Sequence, residues 1–124
     1  MTDVVFDSSF LMAVVERPTA WQEDIIDLIG KFQPVMLDCV RAELKRIASG
    51  RGDRSRAARV ALELSSAFRR QPCGGARVDD EIVSATVGGG RAIATTDHEL
   101  SRTASAAHIP VITLRKGRVA LKSA

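Results

Sequence analysis

Four carboxylates, Asp7, Glu43, Asp79 and Asp97, each fall at the end of a strand-like run or in the first turns of the helix-like segment after one. Two carboxylates brought to about 4 Å cost about 4 kcal/mol at an effective dielectric of about 20, so a gathering of several requires a compensating cation. Hard oxygen donors, with no neighbouring cysteine and no His-x-x-x-His pair, favour Mg²⁺ or Mn²⁺ over zinc. The chemistry suited to such a set is phosphodiester hydrolysis, in which a cation lowers the pKa of water and neutralises charge developing on phosphate. Each acid also has a structural reading: an Asp at a helix start stabilises free amides and the helix dipole, and a Glu within a helix commonly faces solvent. Metal binding therefore hinges on whether the fold brings the four together.

The elements that must do so can be read in order. Val4-Val5-Phe6 predicts a short strand, and Asp7-Ser8-Ser9 predicts the start of a helix continuing through Phe10–Val15. Pro18 lies near the start of a second helix, in which Trp21, Ile25, Ile26, Leu28 and Ile29 recur before Gly30. Pro34 opens a second strand at Val35–Leu37, and Asp38 caps a helix carrying Val40, Leu44 and Ile47 to Ser49-Gly50. Residues 50–55 read as a polar loop, residues 56–69 as a helix, and Pro72-Cys73-Gly74-Gly75 as a breaker. Arg77-Val78 is a short extended piece leading into a helix from Asp79 to about Val87, closed by Gly88-Gly89-Gly90. Ala92–Thr95 reads as a strand, 98–107 as a helix, Ile109–Leu114 as a strand and Arg118–Leu121 as a short last one.

Strands alternating with helices predict an α/β fold, a mostly parallel central sheet flanked by helices on both faces, with residues 1–124 as a single domain. Ligands of such sheets bind beyond the carboxyl ends of the strands. Asp7 directly follows the first strand and Asp97 closely follows the strand ending at Thr95, so both are expected on that edge.

The order of these motifs resembles the PIN domain family over essentially the whole chain. Its opening motif, an apolar strand followed by Asp, Thr or Ser, then Asn or Ser, is matched by Val4-Val5-Phe6-Asp7-Ser8-Ser9. A glutamate inside an apolar helix is matched by Cys39-Val40-Arg41-Ala42-Glu43-Leu44, an Asp-x-x-Ile start by Asp79-Asp80-Glu81-Ile82, and a strand-ending Thr-x-Asp by Thr95-Thr96-Asp97. The resemblance implies a divalent-metal-dependent endoribonuclease in which Asp7, Glu43, Asp79 and Asp97 are the catalytic ligands of one or two Mg²⁺ or Mn²⁺ ions. It implies that Ser9 orients Asp7 or a metal-bound water. Asp80 is expected beside the ligands without binding directly, since only Asp79 preserves the spacing to Ile82 and Asp97, and Glu99, just past Asp97, is expected to lean toward the metal from the same surround. The ending Ile109–Gly117 resembles archaeal PIN proteins akin to rRNA-processing endonucleases more than VapC-type toxins. Both groups share the four acids, so the partners implied are RNA and either a ribosome-assembly partner or an antitoxin.

Composition bounds the alternatives. With 124 residues, 45% of them hydrophobic, the chain suits one globular domain. Two cysteines, Cys39 and Cys73, lack the spacing of a disulfide framework or a zinc site, and no secretory leader or membrane span is legible; a cytoplasmic, reducing location and no membrane partner are expected. The net charge of +3 is small, but Arg51, Arg54, Arg56 and Arg59 cluster mid-chain, and no acid follows Glu99 while Arg102, Arg115, Lys116, Arg118 and Lys122 do. Arg51, Arg54 and Arg56 are the expected RNA contacts. Trp21 is expected in the core or at a homodimer interface, and His98 and His108 have no assigned role. Two other functions compete: a PIN-fold module that binds RNA or protein without cutting, and an aspartyl phosphatase, which would need a second Asp where Ser9 stands.

Overall fold

A computed structural model of the protein describes residues 1–122. In chain order its elements are β1 (Thr2–Phe6), α1 (Ser8–Glu16), α2 (Trp21–Ile29), β2 (Phe32–Leu37), α3 (Asp38–Ala48), α4 (Asp53–Leu64), β3 (Arg69–Gln71), α5 (Val78–Thr86), β4 (Arg91–Ala94), α6 (His98–Ala106), β5 (Val111–Arg115) and β6 (Arg118–Lys122). The six strands form one sheet in the order β3-β2-β1-β4-β5-β6, parallel throughout except for the antiparallel β5–β6 pair. The chain winds from β1 outward to β3, returns through α5 to the other side of β1, and winds outward again. Right-handed crossovers therefore assign α1–α4 to one face and α5 and α6 to the other. The α/β architecture expected from the alternating elements is the one observed.

Strand position explains strand composition. β1 lies between β2 and β4, and Val4, Val5 and Phe6 are wholly buried, as both faces of a parallel sheet are covered. Pro34 is tolerated inside β2 because β3 pairs only from Val35 onward, leaving β2 an open edge beside the residue that lacks an N–H. The β5–β6 hairpin turns at Lys116-Gly117, both with positive φ (51° and 77°), which suits the right-handed twist of the flanking strands.

Three local expectations are corrected. α4 begins at Asp53, three residues before the predicted start: Gly52, at φ 96°, turns the chain, and Asp53 and Arg56 pair across the first turn. It also ends at Leu64 rather than 69. Residues 69–71, Arg-Arg-Gln, form an edge strand that their polar composition concealed; Arg69 is held by Asp3 (2.6 Å) and Arg70 by Asp38 (2.8 Å). Cys39, in the first turn of α3, and Cys73, between β3 and α5, are disulfide-bonded with Cα atoms 6.1 Å apart, although their sequence spacing suggested no bridge.

Trp21 belongs to the core, being 6% exposed, and is not available as a dimer anchor. Phe6 is the hub of its cluster, with ring centroids 5.6 Å from Phe10, 5.5 Å from Trp21, 6.4 Å from Phe32 and 5.1 Å from Phe68. Burial of rings of this size is the largest apolar contribution one residue type makes to a small core. The cluster is centred on Phe6, the residue before Asp7, so the backbone at Asp7 starts from the packed core. No helix of the described residues is long and apolar enough to cross a membrane.

Candidate active site

In register, Phe6 lies beside Ala94, so β1 and β4 end at the same level, and the Asp7 N–H donates to the Ala94 carbonyl at 2.9 Å. This is where successive crossovers leave in opposite directions, the crevice where doubly wound sheets bind their ligands. A cleft of about 570 Å³ opens there, and Asp7, Glu43, Asp79 and Asp97 all line it. The fold thus brings together four acids separated by as many as 90 positions in the chain.

Asp7 is 6% exposed and stands at the N-cap position of α1, yet its side chain makes no capping bond. Its Oδ2 instead accepts from the Ser9 hydroxyl (2.6 Å) and the Thr95 hydroxyl (2.8 Å). Both hydroxyl oxygens in turn accept backbone N–H groups from the β4–α6 turn: Ser9 Oγ from Thr96 at 3.0 Å and Thr95 Oγ1 from Asp97 at 3.0 Å. The network locks the β1 end to the β4 end, orients both hydroxyl protons at one carboxylate oxygen, and leaves Oδ1 without a side-chain donor. Ser9 thus stands beside Asp7, with its hydroxyl bonded to the carboxylate.

The other acids are held differently. Glu43, half-buried on the second turn of α3, accepts from the Ser8 hydroxyl through Oε1. Asp97 caps α6, its Oδ1 accepting from the amides of Glu99 (2.8 Å) and Leu100 (3.1 Å), so it serves the helix with one oxygen and faces the cleft as well. Asp79, in the first turn of α5, is half-buried. Its neighbour Glu81 turns back to accept the amides of Gly74 (2.6 Å) and Ala76 (3.1 Å), fixing the loop that delivers α5.

Burial first, and like charge second, hold two of these acids above the usual carboxylate range. Burial raises the Asp7 pKa above its usual 3.8; the Ser9 and Thr95 hydroxyls oppose this, and the Glu43 charge adds to it. Asp79 is also raised, first by burial and then by the charges of Asp7 and Asp97, against the opposing pull of Arg77. Among the described residues, no three His, Cys, Asp or Glu side chains are grouped tightly enough to enclose an ion. The four acids face a shared space without converging on one point.

The remaining expected site residues divide. Arg54 lines the cleft, whereas Arg51 and Arg56 do not; Arg56 is paired with Asp53. Asp80 and Glu99 are exposed and lie off the cleft, in a side groove with Arg77 and Asp79. Ser8, Thr95 and Arg17 went unassigned in the sequence. Thr95 sits in the quoted Thr-Thr-Asp motif, so its signal was present; Ser8 meets Glu43 across 35 positions, which no local pattern reveals.

A family model described as a PIN-like domain matches residues 4–117. Among solved structures, the PIN domain endonuclease Utp24 is similar at 26% identity and a TM-score of 0.80, over 98% of this chain and 92% of that one. PAE2754 from Pyrobaculum aerophilum shares the fold at 20% identity and a TM-score of 0.51, over 80% of this chain and 77% of that one. No curated protein matches the sequence.

Proposed function

The chain belongs to the PIN-like domain family, and from that premise we propose that it is a divalent-metal-dependent endoribonuclease whose cleft acids Asp7, Glu43, Asp79 and Asp97 hold Mg²⁺ or Mn²⁺. The observation carrying this reading is the gathering of four acids around one cleft, a concentration of negative charge that a cation would relieve. Similarity to a structure named as a PIN domain endonuclease supports a nuclease-type activity.

The donor chemistry fits the ion. All four donors are carboxylates, and Mg²⁺ keeps several of its waters while binding one or two carboxylates, so an open cleft suits it better than an enclosed cage. Asp7 Oδ1, free of side-chain donors, and Asp79 are the natural first ligands, with Glu43 and Asp97 flanking. When bound, the ion supplies a water of lowered pKa and neutralises charge on the phosphate. The chain's own residues supply the rest. Ser9 and Thr95 hold the Asp7 carboxylate in one orientation, Ser8 holds Glu43, and Arg54 and Arg17 give the cleft cationic contacts for the RNA backbone. Processing and toxin roles share these parts, and the RNA substrate is what separates them.

A calorimetric Mn²⁺ titration of the wild type beside Asp97→Asn tests the reading without requiring the natural substrate. The wild type is expected to bind and the variant to bind at least tenfold more weakly, and cleavage of a single-stranded RNA should follow the same order. Absence of binding by both, with RNA still retained, would indicate a non-cutting RNA-binding module instead.

A further inference from the structure

Two side grooves of opposite charge open from the cleft. Between α5 and α6, Asp79, Asp80 and Glu99 confront Arg77 alone. Between the start of α6 and the β5–β6 hairpin, a hollow of about 100 Å³ is lined by His98, Ser101, Arg115 and Lys122, and it shares Thr96 and Asp97 with the cleft. Lys122 Nζ donates to the Ser101 hydroxyl at 3.2 Å, which holds the ammonium in place and leaves it further protons to donate. Arg56, Arg69, Arg70, Arg91 and Arg118 are all engaged by carboxylates, whereas among the described residues Arg115 and Lys122 have no acidic partner.

We propose that this hairpin groove is a phosphate subsite, in which Arg115 and Lys122 bind a backbone phosphate flanking the cleaved one, so that the RNA strand leaves the cleft over β5 and β6. The inference rests on the nuclease reading of the cleft. A strand whose scissile phosphate lies over the acids, and which meets Arg17 and Arg54 within the cleft, runs out of the cleft past an adjoining groove. The α5–α6 groove repels it with three carboxylates against one guanidinium, while the hairpin groove sets two cations and the hydroxyls of Thr96, Ser101 and Thr113 against the single carboxylate of Asp97. Its size suits a phosphate and its donors are ammonium, guanidinium and hydroxyl groups, so the contact is to the backbone. The basic C-terminal segment visible in the sequence thereby acquires a location and a role different from the mid-chain arginines.

The test is fluorescence anisotropy of a labelled single-stranded RNA of about 12 nucleotides, a length within the range that a single strand-binding domain covers, titrated at several salt concentrations. Arg115→Gln with Lys122→Gln is expected to weaken binding at least tenfold and to lower the salt slope by about 1.4, roughly 0.7 for each lost contact to a single strand. Asp80→Asn with Glu99→Gln should not weaken it, and Arg102→Gln, outside both grooves, should leave the slope unchanged. Arg115→Gln alone, at an exposed position, carries no folding risk and should show about half the slope change, with Arg115→Lys restoring affinity. Unchanged affinity and slope in the double variant, or an equal loss with Arg102→Gln, would overturn the subsite. In Mn²⁺-dependent cleavage the double variant should raise KM and preserve kcat. Salt-sensitive binding lost in the double variant, without any cleavage by the wild type, would retain the subsite and refute the nuclease reading; a wild type that binds no RNA would refute both.

Discussion

Asp7 is the least comfortable residue of the cleft. It is nearly sealed from water, and its two hydroxyl donors only partly offset the cost of holding charge there. Because its folded pKa is raised, the neutral form suits the fold better: that stability is fully present below the unfolded value near 3.8 and is lost as pH rises through the folded value. Asp7→Asn is therefore expected to melt above the metal-free wild type at neutral pH, with the gap closing as pH falls toward 4, and to have lost Mn²⁺ binding. Thermal melts over a pH series check both, and a less stable variant would contradict the burial argument. Thr95, wholly buried, donates to Asp7 and accepts from the Asp97 amide. Thr95→Val keeps its shape and removes both bonds, which should cost about 1–3 kcal/mol in denaturant unfolding and about 10- to 100-fold in Mn²⁺ affinity, as loss of a ligand-orienting partner does. At this scale strand-end position made the common edge of Asp7 and Asp97 legible, while the presence of Glu43 and Asp79 at the same cleft was signalled only by the resemblance in motif order. It was not legible for the Ser8–Glu43 bond, or for the placement of Asp80 and Glu99, which depends on how α5 and α6 are rotated.

Elements buried on both faces announced themselves. β1 and β4 are continuous apolar runs because parallel neighbours and helices leave them no exposed side. Elements at the margin did not: β3 consists of Arg-Arg-Gln and is a strand only because β2 offers it an edge and Asp3 and Asp38 anchor its arginines. The start of α4 was hidden by a polar stretch that reads equally as loop. The Cys39–Cys73 bridge was invisible for a related reason, since only the folded chain brings α3 against the segment preceding α5. That bridge joins the helix bearing Glu43 to the approach to Asp79. It closes 34 residues, a loop for which chain-entropy arguments give stabilisation on the order of 3–4 kcal/mol. Guanidinium unfolding of oxidised protein should lie above that of reduced protein or Cys73→Ser by a difference of this size. Coincident curves would show that the thiols are unpaired in solution.

For the molecule as a whole, the order β3-β2-β1-β4-β5-β6 concentrates chemistry where the winding reverses. The acids come from one edge of the sheet and both of its faces, while the cationic groups lie around the rim. The same architecture governs what the protein can recognise. The chain has four phenylalanines, one tryptophan and no tyrosine, and all five rings are gathered around Phe6 beneath the site. None stands in the cleft or its side grooves as a platform on which a nucleobase can stack. Stacking on an aromatic side chain contributes about 1–3 kcal/mol per base to single-strand binding in proteins that use it, and here only the small imidazole of His98, in the hairpin groove, is placed to supply any of it. Affinity should therefore come almost wholly from the sugar-phosphate chain: homopolymers of purines and pyrimidines should bind within a few-fold of one another, and raised salt should abolish binding to both alike, as competition titrations can measure. A nuclease built this way would leave base selection to whatever presents the strand, and Trp21, committed to the core, would report folding by its fluorescence.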